Sequence, residues 1–490
     1  MKLRVNILKA RLFYLVCLTL LATAAFAAVK PHALFSDNAV LQQGISVPIW
    51  GTANNGEKVT VKFEGQTAAT TAKGGRWMVR LKPLRAGGPS SMTISGENTI
   101  ELKNILVGEV WICSGQSNMQ FGLKSATNGE AAIAASADPM IRLFTVPRDP
   151  RYVPQADVVG AWEECGPDTV PNFTAVGYFF GRDLRKALNV PVGLINDSYG
   201  GTRAEAWTAC RALEEPCKKP DDPEAKANPN DAGALYNGMI APIIPYALRG
   251  AIWYQGESNA GGAFKYRTHF PAMIRNWRED WKQGDFPFLF VQLAPFQKIV
   301  PEPQESAWAE LREAQLLTTV NCPNTGMAVI TDIGDPADIH PKQKEPVGGR
   351  LALAARAIAY GEKIVYKGPT YDALLRVFIG GSIKVWGDRA IVSFDSDSLD
   401  GGLIAKGGEM TGWAIAGEDR KFYNARAVIR DDKATVIVSS PDVPRPVAVR
   451  YGWADCPVVN LFNAQGLPAS PFRTDDFPMV TAPKEQTSTK

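Results

Sequence analysis

Between residues 109 and 360, short apolar runs alternate with segments of helical period, and this alternation constrains the fold more than any other feature. The runs are EVWIC, PVGLIN, GAIWYQ, FPFLFVQL and GMAVIT. The helical segments are FTAVGYFFGRDLRKAL, YRTHFPAMIRNWREDW, AWAELREAQLLTT and GGRLALAARAIAY. In the first of these helices Phe173, Val176, Phe180, Leu184 and Leu188 share one face. Strands too apolar to carry a wet face, separated by amphipathic helices, imply an α/β fold with a mostly parallel sheet covered on both sides. In such sheets reactive groups gather beyond the carboxyl ends of the strands.

The flanks read differently. VPIWG, KVTVKFEG, RWMVRLKPL and SMTISG, cut by Gly- and Asn-bearing turns, predict a small antiparallel sandwich over residues 29–105. SIKVWG, RAIVSF, TVIVSS and PVAVRYGW predict a second β region over 372–490, leaving 106–371 as the α/β part. Both β regions are expected to pack on the centre. Residues 1–28 have the form of a secretory signal peptide: a basic start, the apolar run LFYLVCLTLL, and Ala25–Ala27 as small residues for cleavage. The expected location is therefore secreted or periplasmic, with no membrane span once the leader is removed.

The leader also changes the charge argument. It holds Lys2, Arg4, Lys9 and Arg11, which takes the net +3 of the whole chain to about −1. The basicity belongs to targeting and gives no support for a nucleic-acid partner. Six cysteines follow the leader, and Cys210 with Cys217 is the expected local disulfide. No C-x-x-C or histidine cluster suggests a metal, and nothing in the sequence reports the oligomeric state.

Four strand exits carry the chemistry: SGQSNM (114–119), NDSYGGTRAEAW (196–207), GESNAGG (256–262) and DIGDPADIHPKQK (332–344). Each alone reads as a turn, because Gly, Asn and Asp are turn formers. Together they hold a hydroxyl, several amide donors and an Asp–His pair. Of three histidines, His32 lies in an extended lead-in and His269 in a helical stretch, where packing or exposure is the plainer reading. His340, beside Asp338 and ahead of a helix, is the candidate base.

The blocks GQSNM, YGGTRAEAW, WYQGESNA and DIHPKQKEPVGGRLALAA resemble the signature blocks of the sialate O-acetylesterases, a group of SGNH-type carbohydrate esterases. The flanking NFTAVGYFFGRDL and AVRYGWADCPVVNLFNAQGLPASPFRTDD extend the resemblance over most of the chain. It implies a flavodoxin-like three-layer fold with a parallel sheet, flanked by the N- and C-terminal β regions. It implies a serine esterase that needs no cofactor, with O-acetylated carbohydrate as substrate and 9-O-acetyl sialic acid as first choice.

Ester cleavage needs a nucleophile, a base and donors for the developing oxyanion. The resemblance places the nucleophile at Ser117, with Ser114 as the alternative hydroxyl, and His340 as its base. A carboxylate should orient the imidazole. In the wider superfamily it stands three residues before the histidine, where this chain has Ala337. Asp338 is the first choice, Asp335 the second and Glu257 a third, and a dyad without a carboxylate is also open. The oxyanion donors implied are the Ser117 N–H, Gly200 or Gly201, and Asn259. Gln116 and Asn118 are read as braces of the nucleophile turn. Gln255 and Glu257 either contact the sugar or hold Asn259, and Arg203 either binds a substrate carboxylate or pairs with Glu205 or Asp197. Three other readings stand beside this one. A lipid or thioester hydrolase on the same fold would call for an exposed apolar channel, which the Gly- and Asn-rich exits do not suggest. An acetyl esterase of plant polysaccharide such as acetylated xylan has the same chemistry, and an inactive carbohydrate-binding relative would have lost part of it.

Overall fold

The computed structural model describes residues 28–218, 222, 225–372 and 383–483. The leader read at 1–28 lies outside the described residues but for its last position, as does Ser382 of SIKVWG. At the centre are six parallel strands: β1 (Thr99–Gly115), β2 (Asp138–Thr145), β3 (Val192–Ser198), β4 (Gly250–Tyr254), β5 (Phe288–Val291) and β6 (Thr325–Ala328). Their order across the sheet is β2-β3-β1-β4-β5-β6, and a short strand Glu163–Cys165 closes the β2 edge antiparallel. Every residue of β3, β4 and β5 is buried, as double coverage of a parallel sheet requires.

Helices cover both faces. α1 (Ser117–Gln120) is one short turn after β1, followed along the chain by α2 (Ala175–Leu188), α3 (Ala263–Trp281), α4 (Ala307–Asn321) and α5 (Glu345–Ile358). Phe179, Phe180 and Leu184 of α2 share one core with Leu351 and Ala355 of α5. Phe270 and Trp277 of α3 and Leu311 of α4 fill the core on the other face. Thr174 caps α2 by accepting from Gly177 N, and Ser306 caps α4 by accepting from Ala309 N.

The N-terminal β region does not stand apart. β1 runs for 17 residues, pairing with the strands Val40–Gln42 and Gly87–Ser95 at its start and with β3 and β4 at its end. One strand thus serves two regions, and the position 105/106 falls inside it. The core on that face is continuous from Val29 and Ile49 to Trp253 and Phe290. The C-terminal region has its own core around Trp413, Tyr451 and Phe472. It is tied to α4 by Arg312, which donates to the Ala454 and Asp455 carbonyls, and by the buried Arg473–Glu313 pair at 3.0 Å. Cys210 and Cys217 form a disulfide; Cys113, Cys165, Cys322 and Cys456 are buried thiols. Among the described residues no helix is long and apolar enough to cross a membrane.

Candidate active site

The strands deliver their ends to one level: Gly115 of β1 lies in register between Ser198 of β3 and Tyr254 of β4. This is where the order of the sheet runs outward in both directions from β1, the crevice that α/β sheets use for ligands. Gly115 has φ +133°, and a Cβ there would lie 2.2 Å from the Tyr254 carbonyl oxygen, so the chain can turn out of the strand here only with glycine. Two residues on, Ser117 opens α1. Its N–H is one of the helix-terminal amides that intrahelical bonding leaves free.

His340 comes from the loop between β6 and α5 and places Nε2 2.8 Å from Ser117 Oγ. A hydroxyl and a half-buried imidazole at this distance can exchange a proton. The imidazole pKa is held below its usual value of 6.5, first by burial and then by the nearby Lys344 cation, so the ring is neutral and basic near pH 7. Asp338 accepts from the His340 backbone N–H at 2.8 Å, while its Oδ1 stands 3.6 Å from His340 Nδ1, beyond good hydrogen-bonding distance. Asp335 accepts from Ala337 N instead. Glu257 is engaged by Asn118.

The other residues singled out in the sequence fall into two groups. Gly200 meets the nucleophile: a Cβ on it would lie 3.2 Å from Ser117 Cβ. Its N–H is held at 2.7 Å by Gln120 Oε1, so a ligand oxygen reaches that donor only when Gln120 gives way. Gly201 lies one step further out, exposed, at φ +74°. Asn259 Oδ1 accepts from Ala204 N and Gln255 Nε2, and its Nδ2 donates to Glu205 Oε2 at 2.9 Å. Arg203 is exposed on the wall of an adjoining polar cavity of about 610 Å³ that also includes Asn259 and Ser258.

Gln255 is corrected by the structure. Reading it as a sugar contact does not hold: the residue is fully buried, donates to Thr202 O and Asn259, and accepts from Tyr266. It holds Asn259, the other role weighed for it. The Glu257 carboxylate likewise faces inward, toward Asn118, with Oε2 shielded from solvent. Burial raises its pKa. Ser114 is not beyond the strand but within it, its hydroxyl sealed in the core without a partner. His269 has a partner: it meets Glu205 at 3.2 Å. Burial would raise the Glu205 pKa, but bonds from His269 and Asn259 outweigh it and hold the carboxyl at about 2.

Three participants escaped the sequence reading. Gln120 lies three residues after Ser117, on the same side of one helical turn, which was its only signal. Glu205 stands inside the TRAEAW block, where only a pairing with Arg203 was weighed for it. Lys344 closes the DIHPKQK run and reads as a solvated lysine, yet it is fully buried.

A serine hydroxyl against a neutral imidazole, with amide donors around it at the carboxyl edge of a parallel sheet, is the equipment of a carboxylic ester hydrolase. Residues 107–356 match the family described as carbohydrate esterase, sialic acid-specific acetylesterase. The sialate O-acetylesterases of Homo sapiens and Pongo abelii are 33% and 32% identical to the chain, each alignment covering 89% of it and 90% of the relative. The crystal structure of a carbohydrate acetylesterase from Xanthomonas citri superimposes with a TM-score of 0.83 at 41% identity, covering 92% of this chain and 100% of that one. The chain belongs to the sialic acid-specific acetylesterase family of carbohydrate esterases, and it is a carboxylic ester hydrolase.

Proposed function

We propose that the protein is a secreted serine esterase of the SGNH type that removes O-acetyl groups from carbohydrate, with 9-O-acetyl sialic acid as the first substrate. The observation that carries this reading is the 2.8 Å contact between Ser117 Oγ and His340 Nε2 at the crevice beyond β1. Ser117 Oγ attacks the acetyl carbonyl carbon while His340 takes its proton. The oxyanion of the tetrahedral intermediate is met by the Ser117 N–H, the Gly200 N–H once Gln120 turns aside, and the second Nδ2 hydrogen of Asn259. As the intermediate collapses, His340 returns the proton to the departing sugar oxygen. Water, deprotonated by the same imidazole, then releases acetate from Ser117.

Asp338 acts on His340 mainly by fixing the loop through the backbone N–H, and only weakly as a charge at 3.6 Å. Arg203 supplies a planar cation beside the site, suited to the carboxylate of a sialic acid. A second reading, an acetyl esterase of another carbohydrate such as plant polysaccharide, needs the same Ser117–His340 chemistry. The Xanthomonas citri protein, described as a carbohydrate acetylesterase with no sugar named, is more similar to this chain, at 41%, than the mammalian sialate esterases at 32–33%.

Acetate release from an O-acetylated sialoglycan and from acetylated xylan separates the two readings. The sialate reading predicts release from the sialoglycan, with kcat/KM falling about tenfold or more in Arg203→Ala as a charge-assisted pair is lost. Release mainly from xylan, indifferent to Arg203, would move the protein to the polysaccharide reading. No release from either contradicts both.

A further inference from the structure

Next to the nucleophile lies a buried polar unit that the reaction scheme does not use. Lys344 is the residue ahead of α5, fully buried, with Nζ 4.9 Å from the centre of the Phe121 ring and 5.2 Å from that of Tyr254. It donates to Asn118 Oδ1. Asn118 Nδ2 in turn donates to Glu257 Oε1 and, at 3.0 Å, to the Ile339 carbonyl. The amide is used at both ends, and its orientation is fixed, because a flip would set its NH2 against an ammonium and its carbonyl against a carboxylate.

We propose that Lys344, Asn118 and Glu257 form a buried positioning unit for the Ser117–His340 pair, which pins the Ile339 carbonyl beside the base and sets a cation against the imidazole. This inference rests on the serine-esterase reading above. Two structural facts carry it. First, Asn118 directly follows Ser117 and Ile339 directly precedes His340, so one side chain ties together the two segments whose separation sets the 2.8 Å contact. Second, a buried ammonium and carboxylate are expensive for folding, and a packed apolar pair would fill the space as well. Such a cost fits a functional site better than a purely structural one.

The groups facing Lys344 come from three elements: Asn118 and Phe121 at α1, Tyr254 and Glu257 at the end of β4, and Asp338 with His340 from the preceding loop. Burial holds Lys344 down to about 7, against the opposing pull of Glu257 and then Asp338. On the acid side of neutrality it is charged, and its charge depresses the His340 pKa. The sign follows. Removing the Lys344 cation raises the imidazole pKa, so the base becomes protonated, and activity is lost, at a higher pH than in wild type. Glu257→Gln acts in the same direction, because without its carboxylate Lys344 sheds its proton more easily.

The test is the pH profile of kcat/KM with 4-nitrophenyl acetate as the acetyl donor. Wild type, Lys344→Met, Glu257→Gln and the double variant are compared, with Ser117→Ala as the blank. The expected result is an acid limb moved up by about 0.5–1 pH unit in each single variant, no further movement in the double variant, and a plateau lowered up to about 100-fold. Tm should fall more in Lys344→Met than in the double variant, since the single change leaves the buried Glu257 carboxylate and Asn118 Oδ1 without their cation. Should that variant fail to fold, Glu257→Gln alone decides. Acid limbs that coincide with wild type, with wild-type activity still dependent on Ser117, overturn the unit while leaving the esterase reading intact. Wild-type turnover that survives Ser117→Ala overturns the esterase reading, and the inference with it.

Discussion

Asp338 holds the turn that carries His340 but stands too far from Nδ1 to be a strong tautomer anchor. Asp338→Ala is therefore expected to lower kcat by about 10- to 100-fold, well short of the ~10⁴-fold cost of a buried triad carboxylate. Asp335→Ala should stay within about twofold of wild type. A loss near 10⁴-fold in Asp338→Ala, measured by steady-state kinetics, would contradict this assignment. At this scale the sequence singled out Ser117 and His340, which the fold brings within 2.8 Å, because each stands at a strand exit in a recognisable block. It did not expose Lys344 or the inward turn of Gln255. Whether a polar side chain faces solvent or core after a strand is decided by neighbours from other elements, here Asn118 and Tyr266, which local pattern does not contain.

The segment Ala204–Trp207 depends on α3. Glu205 accepts from His269 of that helix and from Asn259, whose oxygen accepts in return from Ala204 N. The Glu205 pKa, about 2 against an ordinary 4.5, is a stability statement. Its folded value is depressed, so its contribution is complete above about 4.5 and is lost as pH falls toward about 2. Glu205→Gln should therefore lower Tm by a few degrees at pH 7, with the gap to wild type closing below pH 4 in thermal scans. A gap that is constant with pH would contradict the ion-paired assignment. The four long helices and five of the parallel strands were legible from their period and apolar runs, whereas the short helices Ser117–Gln120 and Gly129–Ala134 span too few turns to show a period. The sixth, β2, was not, because DPMIRLFT mixes Pro, Arg and Asp with its apolar residues and lies near the sheet edge, where Arg142 finds Glu164 at 3.0 Å.

Across the whole molecule, the β regions are built into the α/β centre. On the N-terminal side the coupling is a single continuous strand, β1; on the C-terminal side it is a set of buried polar contacts. Arg312 is fully buried, and burial pulls its pKa down to about 9; half of its carbonyl partners come from residues 454 and 455. Truncation after residue 371 would strip that guanidinium of two of its four carbonyl partners and the Glu313 carboxylate of Arg473, in the interior. The truncated chain is expected to lose more than 10 °C in Tm, or to accumulate only as insoluble protein, by the usual scale of such losses. A soluble truncated chain with the wild-type Tm would contradict this coupling. The compositional shifts near 105 and 371 were readable in the sequence. The coupling was not, since a strand shared by two regions looks like any other apolar run.

The central claim is that Ser117, activated by His340, cleaves acetyl esters of carbohydrate, and the most direct test is acetate release by Ser117→Ala and His340→Ala beside wild type. Each variant should retain the wild-type Tm and lose about 10³-fold or more in kcat on an O-acetylated glycan, and the double variant should be no worse than either, as expected of residues acting as one unit. Release at the wild-type rate from folded Ser117→Ala would place the chemistry elsewhere in the molecule.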